Sequence, residues 1–193
     1  MTPTGKESSP MDVRANDGKP SQYLSFFIDG EEYAIGILQV KEIIRWGTIT
    51  KVPTTPRWIR GVLNLRGLVL PVVDLAAKFG IRETPVTAQT CVVIVETDLD
   101  GERTLMGVAA DAVSQVLDFR AEDVGEPPPF GTRIRVDYIV GMGKIGKKFV
   151  HILDIDGVLS AAELMAVTSA AGSEPAAEVS GSASESSPAS EAS

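Results

Sequence analysis

An internal repeat constrains this chain more than any other feature. Residues Ile59–Leu75, IRGVLNLRGLVLPVVDL, overlay Ile139–Ile155, IVGMGKIGKKFVHILDI, at a fixed offset of 80 and without a gap. Ile59, Gly61 and Asp74 recur as Ile139, Gly141 and Asp154, and most apolar positions stay apolar. Upstream, Val40–Ile44 (VKEII) parallels Val113–Leu117 (VSQVL) at an offset of 73. Self-similarity at a fixed period means that one supersecondary unit was built twice. Each copy spans about 60 to 70 residues, and units that small bury a limited share of their surface and are marginal alone. The repeat therefore predicts two small units fused through a shared apolar interface, with a groove between them.

Local patterning makes the units β. Leu24, Phe26 and Ile28 alternate, Asp29-Gly30 is a two-residue hairpin signal, and Tyr33, Ile35 and Ile37 alternate on the return. Val40, Ile43 and Ile44 fit a helical turn or a strand equally well. The prolines of Val52–Pro56 dictate a loop. Trp58–Leu65 and Leu68–Val73 read as a hairpin about Arg66-Gly67, and Asp74–Phe79 as a short helix closed by Gly80. The second half repeats these elements, with strands at 90–95, 105–108 and 113–119 and the repeated hairpin at 138–155. Ser160-Ala-Ala-Glu163 has the form of a capping box and predicts a last helix near Ser160. The predicted fold is mainly β: two small five-stranded barrels packed together, with short helices and a C-terminal helix. The two predicted barrel subdomains are intertwined, run roughly over 38–85 and 86–158, and share the N-terminal hairpin.

Composition narrows the function. Residues 1–21 are rich in Pro, Gly, Ser and charge, and 167–193 are almost wholly Ala, Ser, Gly, Glu and Pro. Such stretches cannot bury enough apolar surface to offset chain entropy, so both read as disordered tails flanking a folded region over 22–166. The net charge is -8, and four of those charges lie in the last segment. That argues against nucleic-acid binding by bulk electrostatics. No apolar run reaches the ~20 residues of a transmembrane helix, and nothing resembles a signal peptide, so the expected compartment is the cytoplasm. A single cysteine, Cys91, opens the apolar run CVVIV and reads as a small buried hydrophobe.

The chemistry-bearing residues point away from catalysis. Gly141-Met-Gly143-Lys-Ile-Gly146 matches the dinucleotide pattern, but that pattern needs a following helix, and here a strand follows. His151 is the only histidine and takes the place of Pro71, so the chain offers neither a metal cluster nor a nucleophile–base set. No catalytic residue, metal or cofactor is expected. Asp74 and Asp154 read as caps of the turns that follow them. Arg66 is different. It sits at a hairpin tip, and its counterpart is Gly146. A requirement of the hairpin itself would have left similar residues in both copies. Arginine suits a bidentate ion pair at an interface. Glu42 is the candidate partner, and its counterpart is the uncharged Gln115.

At these residues the sequence resembles the CheW family of chemotaxis coupling proteins. The resemblance covers Tyr23 to about Met165 and rests on Phe26–Ile43, Pro53–Pro56 and above all Ile59–Leu75, with its block GV-NLRG---P-VDL. It implies a non-enzymatic adaptor of two five-stranded, SH3-like barrels. Such an adaptor couples methyl-accepting chemotaxis receptors to the histidine kinase CheA in receptor arrays at the inner membrane, without entering the membrane itself. It would hold the receptor's helical hairpin tip in the groove and the kinase's regulatory domain through its barrel ends. Carried onto this chain, the resemblance implies a receptor-binding set of Val40, Glu42, Gly61, Asn64, Leu65 and Arg66. Gly141 is implicated in kinase coupling. Val40, Ile43 and Leu65 are the expected groove walls. The chain departs from the family's shortest members in its longer 98–103 turn and its longer acidic tail.

Overall fold

The computed structural model describes residues 19–127 and 134–158. The strands in chain order are β1 (Ser21–Ile28), β2 (Glu31–Gly36), β3 (Val40–Arg45), β4 (Ile59–Leu65), β5 (Leu68–Asp74), β6 (Cys91–Leu99), β7 (Glu102–Ala110), β8 (Ala112–Phe119), β9 (Val124–Gly125), β10 (Ile139–Ile145) and β11 (Lys148–Leu153). Two single-turn helices, α1 (Leu75–Lys78) and α2 (Ile155–Val158), follow the repeated hairpins. The capping box at Ser160 lies outside the described residues.

The strands form two sheets. One has the order β3-β6-β7-β5-β4 and the other β8-β1-β2-β11-β10-β9. The predicted boundary at 85/86 does not separate them. Hairpin β6–β7 joins the sheet of β3, β4 and β5, while hairpin β1–β2 joins that of β8, β10 and β11. The two orders are equivalent over five positions, and the second sheet carries β9 as a sixth strand. The sequence unit is therefore a hairpin, a single strand and a second hairpin, and each unit's first hairpin completes the other unit's sheet. Register repeats this equivalence: β5 pairs in parallel with β7 through Val72 and Gly107, as β11 pairs with β2 through Ile152 and Ala34. Parallel neighbours cannot be joined by a tight turn, so only strands distant in the chain could meet this way.

Each sheet also begins and ends on one run of chain. Beyond β3, Thr50 bridges to Val62 on β4, the opposite edge. Beyond β8, Val124 and Gly125 pair with Gly143 and Met142 on β10. β3 and β4 share no ladder of their own, so a bridge at Thr50 is what draws the edges of the first sheet together.

Burial explains the composition of the exchanged hairpins. Phe26, Ile28, Tyr33, Ile35, Val93, Val95, Met106 and Val108 are almost fully buried in one cluster spanning both sheets, joined by Val73, Leu75, Ile139, Leu153 and Ile155. The opposite faces of the same strands fill two smaller clusters. One holds Tyr23, Ala34, Leu117, Phe119, Val150 and Ile152. The other holds Leu63, Leu70, Val72, Val92 and Ile94. Strands covered on both faces read as continuous apolar runs, as CVVIV does. Full burial of such side chains contributes about 1.5–3 kcal/mol each. The largest share of that stabilisation lies between the sheets.

Buried polar groups fix the junctions. Asp74 is inaccessible to solvent. Its Oδ1 accepts from Ala77 N at 3.1 Å and from Thr84 Oγ1 at 2.9 Å. Its Oδ2 accepts from Thr84 N at 2.7 Å and Arg60 Nη1 at 3.2 Å. Asp154 caps α2 through Gly157 N at 3.2 Å. Both aspartates are caps. Asp74 in addition clamps the segment leading to β6.

Candidate functional site

The β4–β5 turn places Arg66 at an exposed tip. Three of the hairpin turns in this chain share one geometry, with positive φ at both central residues: Asp29-Gly30, Arg66-Gly67 and Asp100-Gly101. This two-residue turn matches the twist of the strands, and it favours Asn, Asp or Gly at its first position. Arg66 occupies that position at φ 52, whereas the repeat has Gly146 at φ 57. A non-glycine residue held there costs of order 1 kcal/mol. Asn64 offsets part of this: its Oδ1 accepts from Gly67 N at 2.8 Å. Lys144, its counterpart, cannot accept such a bond.

The guanidinium of Arg66 donates from Nη2 to Glu42 Oε1 at 3.0 Å. Glu42 reaches it from β3, the far edge of the same sheet, so the ion pair and the Thr50–Val62 bridge both join β3's run of chain to the β4–β5 hairpin. A β-bulge between Val40 and Glu42 re-aims the start of β3. The Arg66 side chain is 77% exposed and that of Glu42 32%. Leu65 is half-buried and packs on the inner cluster of this sheet, as Ile44 does. Around the tip stand apolar side chains left in solvent: Leu68 at 57%, Val69 at 54% and Ile43 at 45%. Contiguous exposed apolar side chains beside an ordered ion pair are a common feature of contact surfaces.

The expected site residues do not all converge. Glu42, Asn64, Leu65 and Arg66 come together at this end of the sheet. Val40 lies on the same strand but packs against the cluster between the sheets, so of the expected groove walls it lines the seam, while Ile43 and Leu65 flank the tip. Gly61 is buried at φ 137, and a Cβ there would lie 2.1 Å from the carbonyl oxygen of Thr50. Its place is under the Thr50–Val62 bridge, where no side chain fits. Gly141 is buried too, with Val124 Cγ1 2.6 Å and Gly125 O 3.1 Å from a Cβ. Both glycines let a second segment cross their strand and present no surface of their own. Leu68 and Val69, exposed at the same end, were not among the residues expected from the sequence. Their signal is the unbroken run Leu68-Val69-Leu70 beside a turn, longer than one buried face requires.

Among the described residues no three of His, Cys, Asp and Glu are grouped so as to hold a metal. Burial pushes the Cys91 thiol up, which disfavours its nucleophilic thiolate, and pushes the His151 imidazole down. Gly141 and Gly143 lie within β10 and Gly146 in its turn, so the glycine-rich stretch is a hairpin.

The CheW-like domain family model matches residues 22–163. The chain belongs to the CheW-like family. It is 34% identical over 150 residues to a chemotaxis protein CheW of Klebsiella aerogenes, covering 78% of this chain and 88% of the relative. It is 26% identical over 162 residues to protein FrzA of Myxococcus xanthus, covering 82% and 98%. Among solved structures it is similar to the scaffolding protein TtCheW of Thermoanaerobacter tengcongensis, with a TM-score of 0.66 and 30% identity over 75% of this chain and 90% of that one. Family and architecture together make this CheW-like chain a chemotaxis scaffolding protein rather than an enzyme. No helix among the described residues is long and apolar enough to cross a membrane.

Proposed function

We propose that this chain couples methyl-accepting chemotaxis receptors to the histidine kinase CheA, acting in the cytoplasm at receptor arrays. The observation that carries the reading is Arg66. It keeps a conformation that costs stability, where its structural counterpart is glycine, and it is held by Glu42 beside exposed Leu68 and Val69. Placing a bidentate donor next to apolar contact area is how an interface anchor is built. The receptor hairpin tip would lay its apolar face against Ile43, Leu65, Leu68 and Val69, with Arg66 meeting a carboxylate or carbonyl of the receptor. Asn64 sets the turn, and Gly61 and Val40 support the surface from below. The kinase regulatory domain would dock on barrel ends. Gly141 would act there indirectly, by holding the β9–β10 edge in shape.

The test is a double-mutant cycle on receptor-fragment affinity and on CheA activation in reconstituted arrays. Arg66→Ala should weaken receptor binding by about 2–5 kcal/mol, because truncation leaves a desolvated partner unpaired. The same change should alter unfolding free energy by less than about 1 kcal/mol, the range of an exposed pair. Arg66→Ala with Glu42→Ala should lose less than the sum of the singles. An Arg66→Ala chain that binds receptor as tightly as the parent would falsify this role.

A further inference from the structure

The sheet that carries Arg66 has a second charged feature that the coupling surface does not use. Residues 45–60 hold Arg45, Lys51, Arg57 and Arg60 and no acidic residue, in a chain of net charge -8. Lys51, Arg57 and Arg60 line one cleft of about 220 Å³ with Val52, Pro56 and Glu83. Arg60 is already committed. It bonds Asp74 at 3.2 Å, lies 3.6 Å from Glu83 and sits 5.1 Å over the Trp46 ring. Lys51 and Arg57 have no ion-pair or hydrogen-bond partner among the described residues. The cleft therefore presents two unneutralised cations beside the partly buried Arg60–Asp74 salt bridge.

We propose that the acidic C-terminal segment of this chain docks on the cleft of Lys51 and Arg57 through its glutamates, as an intramolecular, salt-sensitive ligand. Charge favours this occupant: residues 159–193 contain five glutamates and no lysine or arginine. Reach allows it. Glu174 lies 16 residues beyond Val158, a span of up to about 50 Å, against a domain roughly 35–40 Å across. Tethering also raises the local concentration of the glutamates to the millimolar range, where weak charge pairs become populated. Lys19, Arg45, Lys147 and Lys148 also lack a partner among the described residues, but none of them lines this cleft, and Lys147 and Lys148 stand at a hairpin tip. Lys144 beside them already faces Glu122, Asp123 and Glu126. The docked segment would cover the loop before β4 and leave Arg66, at the other end of that strand, free. The inference does not depend on the receptor-coupling reading.

The test uses the full chain with a spin label at Ser182→Cys. Cys91 is buried, so the label goes to the introduced cysteine. At low salt the amide signals of residues 50–57 should lose about half their intensity or more, and they should recover at 0.5 M salt, where the screening length falls to about 4 Å. Changing Glu174, Glu178, Glu185 and Glu191 together to Gln should abolish the loss. Lys51→Glu with Arg57→Glu should do the same while leaving the remaining amide spectrum in place. Four results overturn the proposal. They are no loss at low salt, a loss that survives removal of the glutamates, a loss centred on residues 144–148, and a loss that appears only between labelled and isotope-labelled copies. The last would assign the cleft to a second copy's tail.

Discussion

Arg66 and Gly61 show opposite ways for one residue to matter. Arg66 makes the fold slightly worse and offers a surface, so Arg66→Gly should leave the urea midpoint unchanged or raise it while removing the anchor, as Gly146 already does in the repeat. Gly61 makes the fold possible and offers no surface. Gly61→Ala should lower unfolding free energy by about 2–4 kcal/mol, because a Cβ at φ 137 meets the Thr50 carbonyl. Gly146→Ala, with open space around it, should cost no more than about 1 kcal/mol. A Gly61→Ala chain with the parent's urea midpoint but no receptor affinity would return this glycine to the contact surface. His151 carries a third expectation. It stacks on Tyr33 with ring centroids 5.2 Å apart, and its Nδ1 is buried without a partner. Burial pushes its pKa down, with Glu31 opposing. A histidine depressed in the folded state takes up its proton first in the unfolded state. Stability is therefore whole above pH ~6.5 and falls as pH drops toward the lower folded value. His151→Phe keeps the stacking and removes the titration, so its urea midpoint should change less than the parent's between pH 7 and pH 5.5.

At the scale of elements, the strands and their turns were legible in the sequence and their partners were not. Asp29-Gly30 and Arg66-Gly67 announced their hairpins, and Val40–Ile44, which local pattern left open between helix and strand, is a strand. Its choice is made by pairing with Val92–Val95 on β6, residues nearly 50 positions away. The predicted subdomain boundary failed for the same reason. A hairpin's own pattern says which residues face a core, and β1–β2 and β6–β7 have cores on both faces, so either sheet could have claimed them. Gly143 tests this arrangement. A Cβ there would lie 2.3 Å from the Phe119 ring, at the inner cluster of the sheet containing β1 and β2. Gly143→Ala should destabilise the chain by about 1–3 kcal/mol through overpacking, whereas a boundary that followed the repeat would have put no exchanged hairpin at risk. Loss of amide protection in β1 and β2 as well as in β10, measured by hydrogen exchange, is the expected sign.

For the whole molecule, the exchanged hairpins make two sheets into one cooperative body. Trp46 packs on the inner cluster of the sheet of β3 and β4 and Trp58 on the cluster between the sheets, while far-UV circular dichroism reports on both sheets. The two probes should give the same urea midpoint, because the largest core cluster lies between the sheets and neither can keep it alone. A second transition seen only by circular dichroism would contradict this. The core clusters of the described residues begin at Tyr23 and β1 begins at Ser21, so a chain lacking the first 18 residues should keep the parent's midpoint. The amino-acid sequence by itself determined the β class, the twofold repeat, the hairpin positions and the candidate pair Glu42–Arg66. Each of these is written in local pattern, in turn chemistry or in how the two copies differ. The tertiary structure alone decided that the repeats exchange hairpins, that Gly61 and Gly141 are buried under crossing segments, and that Leu68 and Val69 stand exposed beside Arg66. Those are matters of which distant surfaces meet, and a period of two along a strand says that a face is buried without saying what covers it.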